Sequence, residues 1–308
     1  MSDPEHPIEP VRVNGAALRS FTSEDQFTGL AVDLTREAGS VLAIGACAGH
    51  RGATPTSFKS WPRERAVPSG LLVRLTKLFH GLLGATCKLQ GELMCMFARP
   101  TFETSVNLMY VVERWSPDLI ERFIRYSLVS EKRLLDLIDK NIANRGGQVL
   151  PIEGRMRRSI LRAFEVSGVD PTTSSKADKQ GFGGNLLDRA RELGLDGGYL
   201  AMFSLPSHAI HGNWEDLFEH HLQRVEGGFI PDPRWTRPRP QLLIACSGLS
   251  IEAERRYLQW EFGEDAAEAL SKIEDLSSRL DQFSTHLDAF HSRSGSMPRR
   301  KVEEGGPT

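Results

Sequence analysis

Apolar side chains near the carboxyl end of this chain recur at alternating steps of three and four residues. The series consists of Ala266, Leu270, Ile273, Leu276, Leu280, Phe283, Leu287 and Phe290. This spacing places every member on one face of an α-helix, whereas side chains of a β-strand alternate between two faces. It predicts a long amphipathic helix over residues 266–290. Its apolar seam would pack on the chain's own bundle, join a second copy in a homodimer, or dock another partner.

Helical periodicity also dominates the rest of the chain. Apolar residues follow it in the stretches 21–49, 69–97, 100–114, 117–145, 152–166, 185–193 and 197–225. Two short segments, 11–13 and 241–245, are the only candidates for strands. The pattern therefore predicts an all-α fold, a multi-helix bundle with a long C-terminal amphipathic helix.

Composition divides the 308 residues into four parts. Residues 1–64 would hold a flexible lead and a first helix, and residues 65–225 a helical core. Residues 226–291 follow as C-terminal helices, and residues 292–308 form a tail expected to be disordered, because it is rich in small and charged residues. Within the core, the glycines of 181–185 read as a flexible loop, since no strand precedes them and no phosphate-binding Gly-Lys-Ser/Thr follows.

Charge and cysteine content exclude several classes of protein. A formal net charge of -2 argues against a protein that coats nucleic acid through its overall charge. The four cysteines form no Cys-x-x-Cys pair, so we expect reduced thiols in the core, no zinc site and a cytoplasmic location. Signal-like and membrane-spanning runs are absent from the sequence, so no membrane association is predicted. No motif implies a cofactor.

Two groups of polar residues interrupt stretches that otherwise read as buried helix. Arg99 and Glu103 lie one helical turn apart, and Ser207-His208-Ala209-Ile210-His211-Gly212 follows about a hundred residues later. Because buried charges are costly unless they are paired, we expect the fold to bring these groups together. His211 would hydrogen-bond Glu103, with Ser207 and Tyr199 on the same side of their helix.

Two interpretations of this polar centre stand side by side. It is a buried structural network, or it is a site with catalytic residues Arg99, Glu103 and His211 and binding residues Tyr199, Ser207 and His208. The spacing of His208, His211 and Glu215 would also allow metal ligation, but there is no His-Glu-x-x-His motif, so no metal is predicted. Arg155, Arg158 and Arg162 share one helical face that would either be solvated or contact phosphates.

These residues resemble a large bacterial family known only as a domain of unknown function. Its pattern is an Arg-x-x-x-Glu helix, a variable middle, then a Tyr and a Ser-x-x-x-His followed by Gly or Pro. Here the matches are Arg99 to Glu103, Tyr199, and Ser207 to His211 with Gly212, over residues 65–225. The resemblance implies an all-helical domain in a bacterial stress or phage-defence context, and it carries no known activity.

The layout is also loosely similar to HEPN-type helical ribonucleases, which cleave RNA with Arg and His. Their contiguous Arg-x(4–6)-His signature has a polar residue after the Arg, whereas Arg74 and Arg279, the matches here, are each followed by Leu. Two functions therefore stay open. One is a helical bundle with a structural or ligand-binding polar centre. The other is a metal-independent ribonuclease that binds RNA, in which Arg99 stabilises phosphate charge and His211 acts as general acid and base.

Overall fold

A computed structural model describes residues 9–48, 60–173, 181–204 and 210–294. Within these ranges the chain is helical apart from one two-stranded hairpin, so the all-α prediction and the long C-terminal helix are confirmed. None of the helices in these ranges is long and apolar enough to cross a bilayer. The tail predicted to be disordered lies outside the described residues, except for residues 292–294, which end the last helix.

Eight α-helices come first in the described part of the chain. They are α1 (Gly15–Ser20), α2 (Glu24–Ala48), α3 (Arg63–Cys87), α4 (Gly91–Glu113), α5 (Pro117–Ser127), α6 (Val129–Asn144), α7 (Pro151–Ser167) and α8 (Leu186–Glu192). After α8 come α9 (Asp196–Tyr199) with a π-helical turn (Leu200–Ser204), and α10 (Trp214–Asp216) with a second π-helical turn (Leu217–His221). The hairpin β1 (Leu222–Val225) and β2 (Gly228–Pro231) then leads to α11 (Pro240–Phe262) and α12 (Ala267–Ser294).

The main core lies between five long helices. α11 packs against both α2 and α4, α3 packs against α2 and α4, and α12 closes the layer over α11. Fully buried aromatic side chains come from each of them: Phe27, Phe79, Phe102, Tyr257 and Phe283. This core crosses the predicted boundaries at residues 64 and 225, and the four-part division of the chain stays a prediction.

The heptad seam of α12 is buried within a single chain. Seven of its eight predicted members, all except Leu270, are at most 5% exposed, and they face α11, α2 and α1. Of the three arrangements expected for this seam, the structure shows the first, in which the seam packs on helices of its own chain. A homodimer through residues 266–290 would have to use another face of α12, because the apolar seam is already covered.

A smaller core joins α5, α6 and α7 to the end of α4, and Phe182 lies at its edge. Phe182 is 1% exposed, and its ring contacts Tyr110, Phe123 and Tyr126. Residues 181–185 form a loop, as predicted, and the buried Phe182 side chain anchors this loop to the smaller core. Gly183 has φ 139°, and a Cβ there would lie 2.4 Å from the Tyr110 ring.

The helical stretch that begins at residue 69 turns back on itself. α3 ends at Cys87, Leu89 takes a left-handed φ of 57°, and α4 returns along α3. A Cβ on Gly81 would lie 2.4 Å from the Phe97 ring, so this glycine permits the close approach of the two helices. Pro100 does not start a new helix as expected but lies inside α4, where tertiary packing offsets the lost backbone hydrogen bond.

Three further expectations are wrong. The predicted helix over 197–225 gives way to π-helical turns and the hairpin, with Leu222 opposite Pro231, because the apolar pattern of short segments does not separate strand from helix. The lead contains α1, capped by the Asn14 side chain and anchored by buried Leu18. Among the cysteines only Cys246 is buried, and Cys47 and Cys87 are exposed.

Two tryptophans meet where α4 ends and α11 passes. The ring centroids of Trp115 and Trp260 are 6.1 Å apart with their planes tilted by 46°. The guanidinium of Arg65 lies over the Trp260 ring at 5.3 Å, and its Nη2 pairs with Glu261 at 2.8 Å. This contact joins the helices α3, α4 and α11 at one end of the bundle.

Candidate functional site

Arg99 lies midway along α4 and stacks on an aromatic group from the π-helical turn after α9. Its guanidinium carbon is 4.4 Å from the centroid of the Phe203 ring. Phe203 in turn stacks on Tyr199 at 4.9 Å with an interplanar angle of 29°, and the buried Phe102 ring contacts both. Arg99 is half-buried, and no described carboxylate lies within ion-pair distance of it. The fold thus brings Arg99 and Tyr199 into one group.

Glu103 shares the helix face of Arg99 but is exposed, contrary to the expected burial. No described ion pair joins it to Arg99. Its charge instead acts on Arg189 of α8, where burial lowers the pKa and the Glu103 carboxylate opposes that change. Arg189 donates to the Asn107 side chain and to the Gly184 carbonyl. Glu103 therefore lies at the open edge between α4 and α8.

His211 is exposed, and no described hydrogen bond or ion pair connects it to Glu103 or Arg99. Ser207 and His208 lie outside the described residues. A buried network of Arg99, Glu103 and His211 is therefore not formed by these three side chains. Of the six residues predicted for the site, the structure places Arg99, Glu103 and Tyr199 along the same part of α4 and its neighbouring segment.

A buried polar cluster at the start of α4 was missed in the sequence. The Glu92 carboxylate accepts the Thr236 backbone N–H at 2.8 Å, and its Oε1 lies 3.8 Å from Nδ1 of His220. Glu92 and His220 are 4% and 8% exposed. The sequence did not reveal this pairing, because the two segments are far apart in the chain.

The cluster fastens the connector after the hairpin to the first turn of α4. The Gly91 N–H donates to the Thr236 carbonyl at 2.9 Å. Nearby, His221 Nε2 lies 3.4 Å from the buried Asp216 carboxylate. No group of three or more potential metal ligands occurs in the part of the chain that the structure describes. The arrangement therefore acts as a polar clamp, defined here as Gly91, Glu92, His220 and Thr236.

Gly91→Ala is expected to destabilise the protein by about 1–3 kcal/mol, the usual cost of overpacking. A Cβ at this position would lie 2.5 Å from the Thr236 carbonyl oxygen and 2.7 Å from that of Arg237, so backbone must shift. Gly70→Ala, in α3 with nothing within 4 Å of its Cβ position, is the control and should be neutral or stabilising. Urea unfolding measures both. Equal stability of the two variants would contradict the close approach.

The arginine face of α7 is exposed to solvent, so it is accessible to water or to phosphates. Arg155, Arg158 and Arg162 are open to solvent, and none of them forms an ion pair within the described ranges. Arg157, on another side of the helix, pairs with Asp139 at 2.9 Å. The face therefore carries three uncompensated positive charges.

The fold and the site define an all-helical protein with an arginine–aromatic group on α4. The chain belongs to a family of unknown function, DUF5677, whose model matches residues 65–229, more than half of the chain. This confirms the expected membership in a domain of unknown function. No curated protein and no solved structure matches the chain. The matched region contains Arg99, Glu103, Tyr199 and His211 but excludes α2, α11 and α12.

Proposed function

We propose that the family region binds a phosphate-bearing ligand at the Arg99 surface, defined as Arg99, Glu103, Tyr199 and Phe203. The observation that supports it is the position of the Arg99 guanidinium, whose carbon lies 4.4 Å from the centroid of the Phe203 ring, without a carboxylate partner among the described residues. Arg279, by contrast, pairs with the carboxylate of Glu37. The aromatic group also belongs to a π-helical turn, a local geometry that is frequent at functional sites.

The N–H groups of a guanidinium lie at its edge, in its own plane, so an arginine whose carbon contacts an aromatic ring can still donate them. That geometry suits two parallel hydrogen bonds to a phosphate. Partial burial strengthens such an ionic contact, because the local dielectric constant is lower than that of water. Glu103, one turn further along α4, would accept hydrogen bonds from sugar hydroxyls. A ribonucleotide unit, free or in RNA, fits these two groups better than inorganic phosphate.

A second candidate is cleavage of RNA at the same surface. Two observations favour it: His211 is exposed, and α7 presents the open arginine face that would attract the phosphate backbone. His211 would accept the proton of the attacking oxygen and donate a proton to the leaving oxygen. Arg99 would stabilise the negative charge that develops on the phosphate oxygens. The reaction requires His211 to reach a phosphate held by Arg99. Such an activity would fit the stress or defence context that the resemblance implies.

The binding proposal is tested by titrating the full-length protein with AMP and with an eight-nucleotide oligoadenylate. Arg99→Ala is expected to weaken binding at least about ten-fold, since a hydrogen bond to a charged group contributes roughly 1.5–3 kcal/mol. Arg133→Ala, which removes an exposed arginine of α6, is the matched control and should bind like the wild type. Equal affinity of Arg99→Ala and the wild type, or no binding by the wild type, would sink the proposal.

The two candidates are separated with His211→Ala. Retained binding together with lost cleavage of end-labelled RNA would favour the ribonuclease. If the wild type binds RNA and leaves it intact, the protein is a binding protein only. The same pair of proteins, expressed in cells, links the result to growth: arrest and loss of total RNA with the wild type alone would support a toxic ribonuclease.

A further inference from the structure

A cavity of about 690 Å³ lies between α2, α11 and α12. It is remote in sequence from the Arg99 surface, and its walls come from residues outside the region that the family model matches. Its volume falls in the range of sites that take small organic ligands, about 300–1,000 Å³. The cavity is therefore separate from the Arg99 surface proposed above to bind phosphate.

Glu254 of α11 lines this cavity and is 1% exposed. Its Oε2 atom has no hydrogen-bond partner among the described residues. The carboxyl group lies directly against α2, because a Cβ on Gly45 would be 1.9 Å from its Oε1. A buried carboxyl group without partners is costly. Such a group in the wall of a cavity is typical of a site whose ligand completes the hydrogen bonds.

The charged groups around Glu254 give the cavity a negative balance. Acidic lining residues outnumber basic ones by five to two. Both basic side chains are already paired: Arg279 with Glu37 at 2.6 Å and with Asp275 at 2.8 Å, and Lys272 with Glu268 at 2.6 Å. Asp265 and Glu254 have no basic partner in the described part of the chain. The field in the cavity therefore favours a cation over an anion.

The remaining wall is apolar. Val41 and Ile44 of α2 face Leu258 of α11 and Ile273 of α12 across the cavity. Ile44 is 61% exposed, so its side chain is accessible to a ligand that enters the cavity. A ligand that matches both walls carries a hydrocarbon part and a positive charge at one end.

We propose that this cavity binds a small organic amine, with its ammonium group on the Glu254 carboxylate and its hydrocarbon part against Val41, Ile44 and Leu258. An ammonium group supplies three donors, which would satisfy the unpartnered carboxylate oxygen. The apolar wall would exclude inorganic cations, which cannot give up their hydration shell to aliphatic side chains. The arrangement defines a second ligand site on this protein, built by the helices that flank the family region.

The test is isothermal titration of the full-length protein with hexylamine, phenethylamine and tryptamine, each compared with the corresponding alcohol. The titrations are run above pH 8, since burial raises the pKa of Glu254 to about 8. We expect at least one amine to bind, and its alcohol to bind at least about ten-fold more weakly, because the charge-assisted contact is lost. Glu254→Gln should reduce amine affinity by a similar factor.

Glu165→Gln is the matched control, because its exposed side chain lies on α7, outside the lining of the cavity; it should leave the affinity unchanged. Ile44→Arg, at an exposed position, is a second variant that places a positive charge at the mouth and should also weaken binding about ten-fold or more. The proposal is overturned if no amine binds at up to about 5 mM, if amine and alcohol bind equally, or if neither Glu254→Gln nor Ile44→Arg changes the affinity.

Discussion

A fragment that spans residues 65–229 alone is expected to be unfolded or aggregated, although it contains all of the family region. It lacks α2 and α11, the helices against which α3 and α4 bury their apolar faces. Phe79 would lose its contact with Gly39, and the buried Ser69 hydroxyl would lose its 2.8 Å hydrogen bond to Tyr257. Removing one large core side chain costs about 2–5 kcal/mol. The cost of losing two helices therefore exceeds the free energy of unfolding of a typical domain, roughly 5–15 kcal/mol.

Far-UV circular dichroism, which measures helix content, and size-exclusion chromatography, which detects aggregation, test this prediction. The matched control is the chain from residue 9 to residue 294, which retains every described helix and should melt cooperatively. A soluble 65–229 fragment with a cooperative melting transition would contradict the prediction. It would show that the family region is a separate folding unit, as the sequence boundaries alone had indicated.

Glu254→Gln is expected to stabilise the protein at alkaline pH by about 3–5 kcal/mol. Burial raises the pKa of the Glu254 carboxyl group from 4.5 to about 8, and each unit corresponds to about 1.36 kcal/mol. Between these two pKa values the folded state keeps a proton that the unfolded state has released. The stability of the wild type therefore falls as pH rises from 4.5 to 8 and is level above that. Glutamine has nearly the same shape and does not titrate.

The measurement is urea unfolding of both proteins from pH 4.5 to pH 9. The difference in the free energy of unfolding should be near zero at the acidic end and largest above pH 8. Glu165→Gln, at an exposed position of α7, serves as the control and should leave the free energy unchanged. A constant difference across the range would show that Glu254 is ionised at neutral pH in the folded protein. That outcome concerns stability alone and leaves the amine titrations to be judged separately.

Local periodicity was sufficient to predict the long helices. The seam of α12 could be assigned residue by residue, since each apolar position is fixed by its neighbours three and four residues away. Periodicity did not reveal that α11 would cover one side of α12, so the homodimer remained open. Short elements were harder, because a four-residue strand and a helical turn share the same apolar content. The hairpin after His221 was missed for that reason.

The site shows the same division between local and long-range information. Arg99 and Tyr199 were selected because polar side chains stood in apolar stretches, and the fold does place them together through Phe203. The role of Phe203 could not be predicted from the sequence, because an aromatic residue in a helical stretch is expected to belong to the hydrophobic core. Glu103 was expected to be buried because its neighbours are apolar, yet its own side chain faces outward. The pairing of Glu92 with His220 depends on tertiary packing and left no trace in either segment.

The contact between Trp115 and Trp260 makes the union of the family region with its flanking helix visible by optical spectroscopy. Indoles 6.1 Å apart couple their strong ultraviolet transitions, so the circular dichroism of the folded protein should contain a paired band of opposite signs. Trp260 belongs to α11, and Trp115 lies in the connection that follows α4. The band would therefore disappear when α11 separates from the family region, even if each helix kept its own backbone hydrogen bonds. Its appearance during refolding would report when α11 docks, without any attached label.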